Sequence, residues 1–111
     1  MSVQKEEKIK EVLRETVSEF LARESNRTSL ITVTGIELHA RNSRAKILIT
    51  VMPDSQEPAA IDFITRRLSD LREYVSEHVR MMRVPFFEVD IDVGEKNRQR
   101  IDEIEREVES R

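Results

Sequence analysis

From Ala59 to Met82 the apolar residues Ile61, Ile64, Leu68, Leu71, Val75, Val79 and Met82 recur at spacings of three and four, a helical stripe about 24 residues long. That is about twice the ~12-residue mean for globular helices. Inside it stands "RRLSDLRE", Arg66 to Glu73, where Ser69 and Asp70 are residue types that open helices rather than continue them. Periodicity predicts one helix; length and local chemistry favour an interruption. A chain of 111 residues, 38% hydrophobic, holds one modest core, so the rest must pack around this bent element as a single domain.

The flanking segments alternate between two periods. Ile9, Val12, Leu13, Val17, Phe20 and Leu21 form one helical stripe between Lys5 and Arg23. After the polar "ESNRTS", the β-branched "LITVTGIEL" predicts a strand from Leu30 to about His39, with Ile31, Val33 and Gly35 alternating against Thr32 and Thr34. "ARNSR" has the short polar side chains of a turn, and "AKILITVM" after it completes an antiparallel hairpin. "PDSQEP" is a loop in which Asp54 or Ser55 is placed to cap the next helix. "VPFFEVDIDV" is a third strand with Pro85 at its start; Phe87, Val89, Ile91 and Val93 form a buried face opposite Glu88, Asp90 and Asp92. Only Ile101, Ile104 and Val108 make an apolar stripe in the charged "EKNRQRIDEIEREVESR". The expected division is a domain over residues 1–94 and a charged tail or tail helix over 95–111.

Composition excludes several functions. With no cysteine there is no disulfide framework, thiolate metal site or cysteine nucleophile. Gly35 and Gly94 are the only glycines, so no glycine-rich phosphate loop exists. His39 and His78 have no catalytic or ligand partner at a recognisable spacing. Asp90 and Asp92 share a strand face and could grip a divalent cation, but such alternating acids are more often the wet side of a half-exposed strand. No enzyme activity, cofactor, metal or small-molecule substrate is expected. The opening "MSVQKEEKIKE" is charged, and no apolar run reaches the ~20 residues needed to span a bilayer, so a cytoplasmic protein without a membrane partner is expected.

The net charge of −3 argues against an indiscriminate nucleic-acid coat, but its distribution is uneven. Residues 30–52 carry +2 and residues 85–111 carry −4. Arg27, Arg41, Arg44 and Lys46 lie in or beside the hairpin's loops, and Arg66, Arg67, Arg72, Arg80 and Arg83 line the long helical segment. Helical arginines usually serve as a solvated face or as i,i+4 partners, as Arg66 would with Asp70.

Topology gives those cations a possible use. Helix, two strands, a helix pair and a strand is the order of a type II K-homology domain, an α+β fold that binds RNA. The residues resemble the ribosome-binding factor A family, a K-homology-like domain without the usual glycine loop, over nearly the whole chain. The resemblance is carried by "SNRTSLITVTGIEL" with the turn arginine at Arg27, by "RAKILITV", by "VPFFEVDID" and by "RID", in register at Val84, Pro85, Asp92, Arg100, Ile101 and Asp102. The family's kink of alanine, any residue, glycine falls on Arg67, Leu68 and Ser69, and the arginine after it on Arg72. Serine lacks glycine's freedom at positive φ, so the resemblance implies two helical halves meeting at Leu68 and Ser69, with Ser69 acting as a helix cap. At the basic position three before the proline this chain has Met82, with Arg83 adjacent.

The resemblance implies a non-catalytic factor that assists maturation of the small ribosomal subunit by binding its 16S ribosomal RNA, as a monomer. Arg27, Arg41, Arg44, Lys46, Arg66, Arg67, Arg72, Arg80 and Arg83 are the candidate contacts, with Arg67 and Arg72 foremost. The alternative is a protein-interaction module of the same fold, using Met81, Met82, Phe86 and Phe87.

Overall fold

The computed structural model describes residues 3–24 and 29–109, leaving aside the side chains of Val3 and Gln4. Arg27 therefore lies outside the described residues. Helix α1 (Val3–Glu24) leads into strands β1 (Leu30–His39) and β2 (Arg44–Met52). A 3-10 turn (Asp54–Gln56), helices α2 (Glu57–Thr65) and α3 (Leu68–His78), strand β3 (Phe86–Ile91) and helix α4 (Val93–Glu109) follow. This is the α+β, type II K-homology-like order.

The sheet order is β1-β2-β3, with β1 antiparallel and β3 parallel to β2. Parallel pairing needs a long crossover, and residues 53–85 supply it through α2 and α3. Alternate residues of each strand point to one face, which the first three helices cover. Leu13, Val17, Phe20 and Leu21 of α1, Ala60 and Ile64 of α2, and Leu71 and Val75 of α3 join Val33, Ile36, Ala45, Ile47, Ile49, Val51 and Phe87 in one buried cluster. Among the described residues no helix is long and apolar enough to cross a membrane.

The helical stripe is broken, but at Arg66 and Arg67 rather than at Leu68 and Ser69. The Arg66 N–H bonds Asp62 C=O, and the Arg67 N–H takes a tighter bond to Ile64 C=O at 2.9 Å. Arg67 (φ −110°, ψ 10°) then opens α3, its own C=O accepting the Leu71 N–H at 2.8 Å. No side chain caps α3; Leu68 is its first residue and Ser69 lies within its first turn. The two-residue joint needs neither glycine nor a serine cap, because backbone bonds satisfy it from both sides. Arg66 consequently pairs backward with Asp62, at 3.0 Å, and not forward with Asp70.

Other expectations shift for similar reasons. A bulge at Thr34 lets Val33 and Ile36 both reach the core, so Gly35 pairs with Leu48 on the open face instead of continuing the inward alternation. Neither Asp54 nor Ser55 caps α2; both belong to the 3-10 turn, and Gln56 precedes α2 without a side-chain cap. Val12 on α1 is 43% exposed, and Met82 is fully exposed because α3 stops at His78 and its stripe loses phase there. Val93 begins α4 rather than extending β3.

Asp92 makes that last change. One oxygen accepts the Glu95 N–H at 3.0 Å, an N-cap, and the other accepts the Thr34 hydroxyl at 2.6 Å. The Thr34 hydroxyl, then the Glu95 amide, hold the Asp92 carboxyl below its ordinary pKa. Lys96 lies 2.8 Å from Glu57 and Arg100 3.2 Å from Asp54, tethering the first turns of α4. No residue of α4 is buried.

Candidate nucleic-acid interface

The basic residues separate into two groups by what their guanidinium groups already do. At the α2–α3 joint, Arg66 is paired with Asp62. Arg67 folds back with Cζ 3.8 Å above the Phe63 ring and Nη1 donating to Phe63 C=O at 3.2 Å, while its Nε lies 3.7 Å from the Glu24 carboxylate. Arg67 thus fastens the joint to the last residue of α1, with one guanidinium face, one N–H and its charge already engaged.

The other group gathers where the hairpin turn meets the start of β3. The Phe86 N–H donates to Ser43 C=O at 2.9 Å, and Arg44 stands opposite Phe86 in register. Arg72, in the second turn of α3, lays its guanidinium 4.1 Å from the Phe86 ring centroid and donates Nη2 to Val84 C=O at 3.0 Å. Its Nε is buried without an acceptor among the described residues. Arg72 and Arg83 line one shallow depression with Ser69, Glu73, Ser76, Met82 and Val84. Among the described residues, Arg41, Arg44, Arg72, Arg80 and Arg83 have no carboxylate within ion-pair distance. Arg41, Arg44, Arg80 and Arg83 are also exposed or half-exposed.

The turn that carries Arg41 is itself unusual. Ala40, Arg41 and Asn42 have φ of 51°, 55° and 66°, a left-handed run without glycine. Ser43 closes it through its amide and hydroxyl, both donating to Ala40 C=O, at 3.1 and 2.7 Å. Each such residue costs roughly 1–2 kcal/mol relative to ordinary backbone, so the turn holds strain where it displays a cation. The short polar side chains of "ARNSR" signalled a turn but not three successive positive φ angles.

Lys46 is placed differently. It stands in register between Glu37 on β1 and Glu88 on β3, so its charge is offset on both sides. The open face changes sign along β3, from Arg44 and Arg72 beside Phe86 to Glu88 and Asp90 farther along the strand. The two aspartates suggested for metal do not converge: Asp90 accepts its neighbour's Ile91 N–H at 2.8 Å, and both oxygens of Asp92 are engaged.

Of the apolar residues proposed for protein binding, Phe87 is 8% exposed and belongs to the core, and Met81 packs against it. Met82 and Phe86 remain open, Phe86 at 64%.

The same architecture recurs in solved structures. The crystal structure of ribosome-binding factor A from Thermus thermophilus superposes with a TM-score of 0.68 at 20% identity, covering 75% of this chain and 90% of that one. A homology model of the Thermus thermophilus factor, fitted into a cryo-EM map of a 30S–RbfA complex, gives 0.63 at 21% identity over 71% and 86% of the two chains. The solution structure of a Thermotoga maritima putative ribosome-binding factor A gives 0.62 at 14% identity over 74% and 81%. Among curated proteins none matches the sequence. The model of the family described as ribosome-binding factor A matches residues 5–105, nearly the full length described above, and the chain therefore belongs to that family.

Proposed function

We propose that this chain binds the small ribosomal subunit in the cytoplasm, contacts its 16S ribosomal RNA as a monomer, and assists the subunit's maturation without catalysing a reaction. Family membership supports ribosome binding, and the Thermus thermophilus homologue has been placed in a complex with the 30S subunit. The observation that carries the RNA reading is the cluster of arginines around the hairpin turn and the start of β3 that have no acidic partner among the described residues. Free guanidinium groups make charge-assisted, often bidentate bonds to phosphate, and such contacts position a protein on a folded RNA whose shape supplies selectivity.

Arg41, Arg44, Arg80 and Arg83 are the primary contacts in this reading, with Arg72 behind them. Arg66, Arg67 and Lys46 contribute less because acids or a ring already engage or flank them. Arg27 remains a candidate through the family's turn motif alone. Co-sedimentation with small subunits over a salt series is the test. The wild type is expected to bind at low salt and to weaken steeply as salt rises. Binding that persists at high salt, or its absence at low salt, would refute an interaction carried by phosphates.

A further inference from the structure

We propose that Phe86 is a stacking platform for one unpaired RNA base, an inference that rests on the RNA reading above and specifies what its site accepts. Phe86 is a large apolar side chain, 64% exposed, at the first position of an edge strand whose next residue, Phe87, already fills the core. The ring is not free to wander. Its backbone is bonded to Ser43, and the Arg72 guanidinium lies 4.1 Å from its centroid, held in turn by Val84 C=O. The result is an oriented aromatic surface with a cation behind it.

Phosphate binding alone gives no use for a phenyl ring, which offers no hydrogen bond. A base offers a π-face, and stacking on an aromatic side chain tolerates any sequence. Bases in a duplex are already stacked, so the ligand must be unpaired at this position. The surrounding charge also favours nucleic acid over an apolar protein segment: Arg44 stands beside the ring and Arg83 shares a depression with Arg72, and covering them with apolar surface would strip water from unpaired cations. Glu88 and Asp90, farther along β3 on the same face, repel a backbone continuing that way. The platform therefore takes a single extruded base at the end of a phosphate track rather than a strand laid across the sheet.

The test uses the full chain and a stem-loop RNA with one 2-aminopurine in the loop, beside the same sequence as a blunt duplex. Wild type is expected to quench the loop fluorophore and to prefer the stem-loop. Phe86→Ala is expected to weaken stem-loop binding by about 5- to 150-fold and abolish the quench, with an unchanged salt slope because no phosphate contact is removed. Phe86→Tyr keeps both, whereas Phe86→Leu, of similar hydrophobicity, does not. If Phe86→Ala binds and quenches as wild type does, the platform is wrong while RNA binding stands. If wild type binds neither RNA nor small subunits, the functional reading itself fails. Salt-resistant capture of a ribosomal protein that Phe86→Ala loses would assign the ring to a protein partner and overturn the proposal.

Discussion

The α2–α3 joint and the hairpin end are both rich in arginine, yet they spend it differently. At the joint, Arg66 and Arg67 face Asp62, Glu24 and Phe63, so their charge and planarity go into holding two helices and the end of α1 together. At the hairpin end, Arg41, Arg44 and Arg83 are exposed and meet no carboxylate among the described residues. Counting basic residues does not distinguish these cases. Arg66 has an acid four residues back on the same helical face and Arg67 meets Glu24 through packing, whereas Arg41 and Arg83 lie in a turn and a loop that bring no acid to them among the described residues.

The largest expected difference follows from reversing charge on each side. Arg44→Glu combined with Arg83→Glu should reduce affinity for small subunits at low salt by at least about 100-fold, since each charge-assisted bond is worth roughly 1.5–3 kcal/mol. The salt dependence should become shallower as phosphate contacts are lost. Arg66→Glu, made beside an acid that already offsets it, should change affinity less than about threefold. Equal losses from the two variants, in the same sedimentation assay, would erase the distinction.

Arg67 tests the joint from the stability side. Arg67→Ala removes a ring stack, a carbonyl bond and an ion pair, and should cost roughly 1–2 kcal/mol in urea unfolding, most of it from the stack and the hydrogen bond because the pair with Glu24 is partly solvated. Arg67→Lys should not restore it, because an ammonium cannot cover Phe63 as a planar guanidinium does. Binding by the folded fraction should be nearly unchanged. A large binding loss with intact stability would place Arg67 at the RNA and not at the joint.

Much of this architecture was legible in the residues, and the departures have identifiable causes. The hairpin, the third strand, α1, α4 and the combined stripe of α2 and α3 follow from period and turn chemistry, because burial on one face imposes those periods. The joint lies two residues before Ser69 because the Arg67 backbone and its stack on Phe63 decide it, and neither leaves a mark in hydrophobic spacing. The commitment of Arg67 was hidden for the same reason: its partners, Glu24 and Phe63, are set by tertiary packing. Asp92 was visible as part of a family pattern, but its work as the cap of α4 depends on Thr34, 58 residues away. The bulge at Thr34 did leave a trace, in the slip from Ile31 and Val33 to Ile36 and Leu38.

That cap gives a smaller, pH-dependent effect. Asp92→Ala should cost about 1 kcal/mol at neutral pH, the usual worth of an N-cap. The folded-state pKa of Asp92 lies below its unfolded value near ~3.9, so the stabilisation is complete above that value and disappears as pH falls through the folded one. Urea unfolding should therefore show wild type and variant converging in acid. Because α4 is tethered through acids of the 3-10 turn and α2, away from the free arginines, RNA affinity should be unaffected.

The smallest effect probes the strained turn and separates binding from folding at one position. Arg41 holds φ at 55°, a conformation that glycine adopts without the clash of a Cβ. Arg41→Gly relieves that clash but also frees the unfolded chain, so the net gain should be only about 0.5 kcal/mol. The same change deletes an exposed cation and should lower small-subunit affinity severalfold, with a slightly shallower salt slope. A variant that folds better and binds worse would show that the turn keeps arginine for its charge despite its backbone cost. Arg66→Gly, placed at the end of α2, should instead fold slightly worse and bind as before: it deletes the ion pair with Asp62 and frees a residue held at φ −67°, while the backbone bond to Asp62 C=O remains.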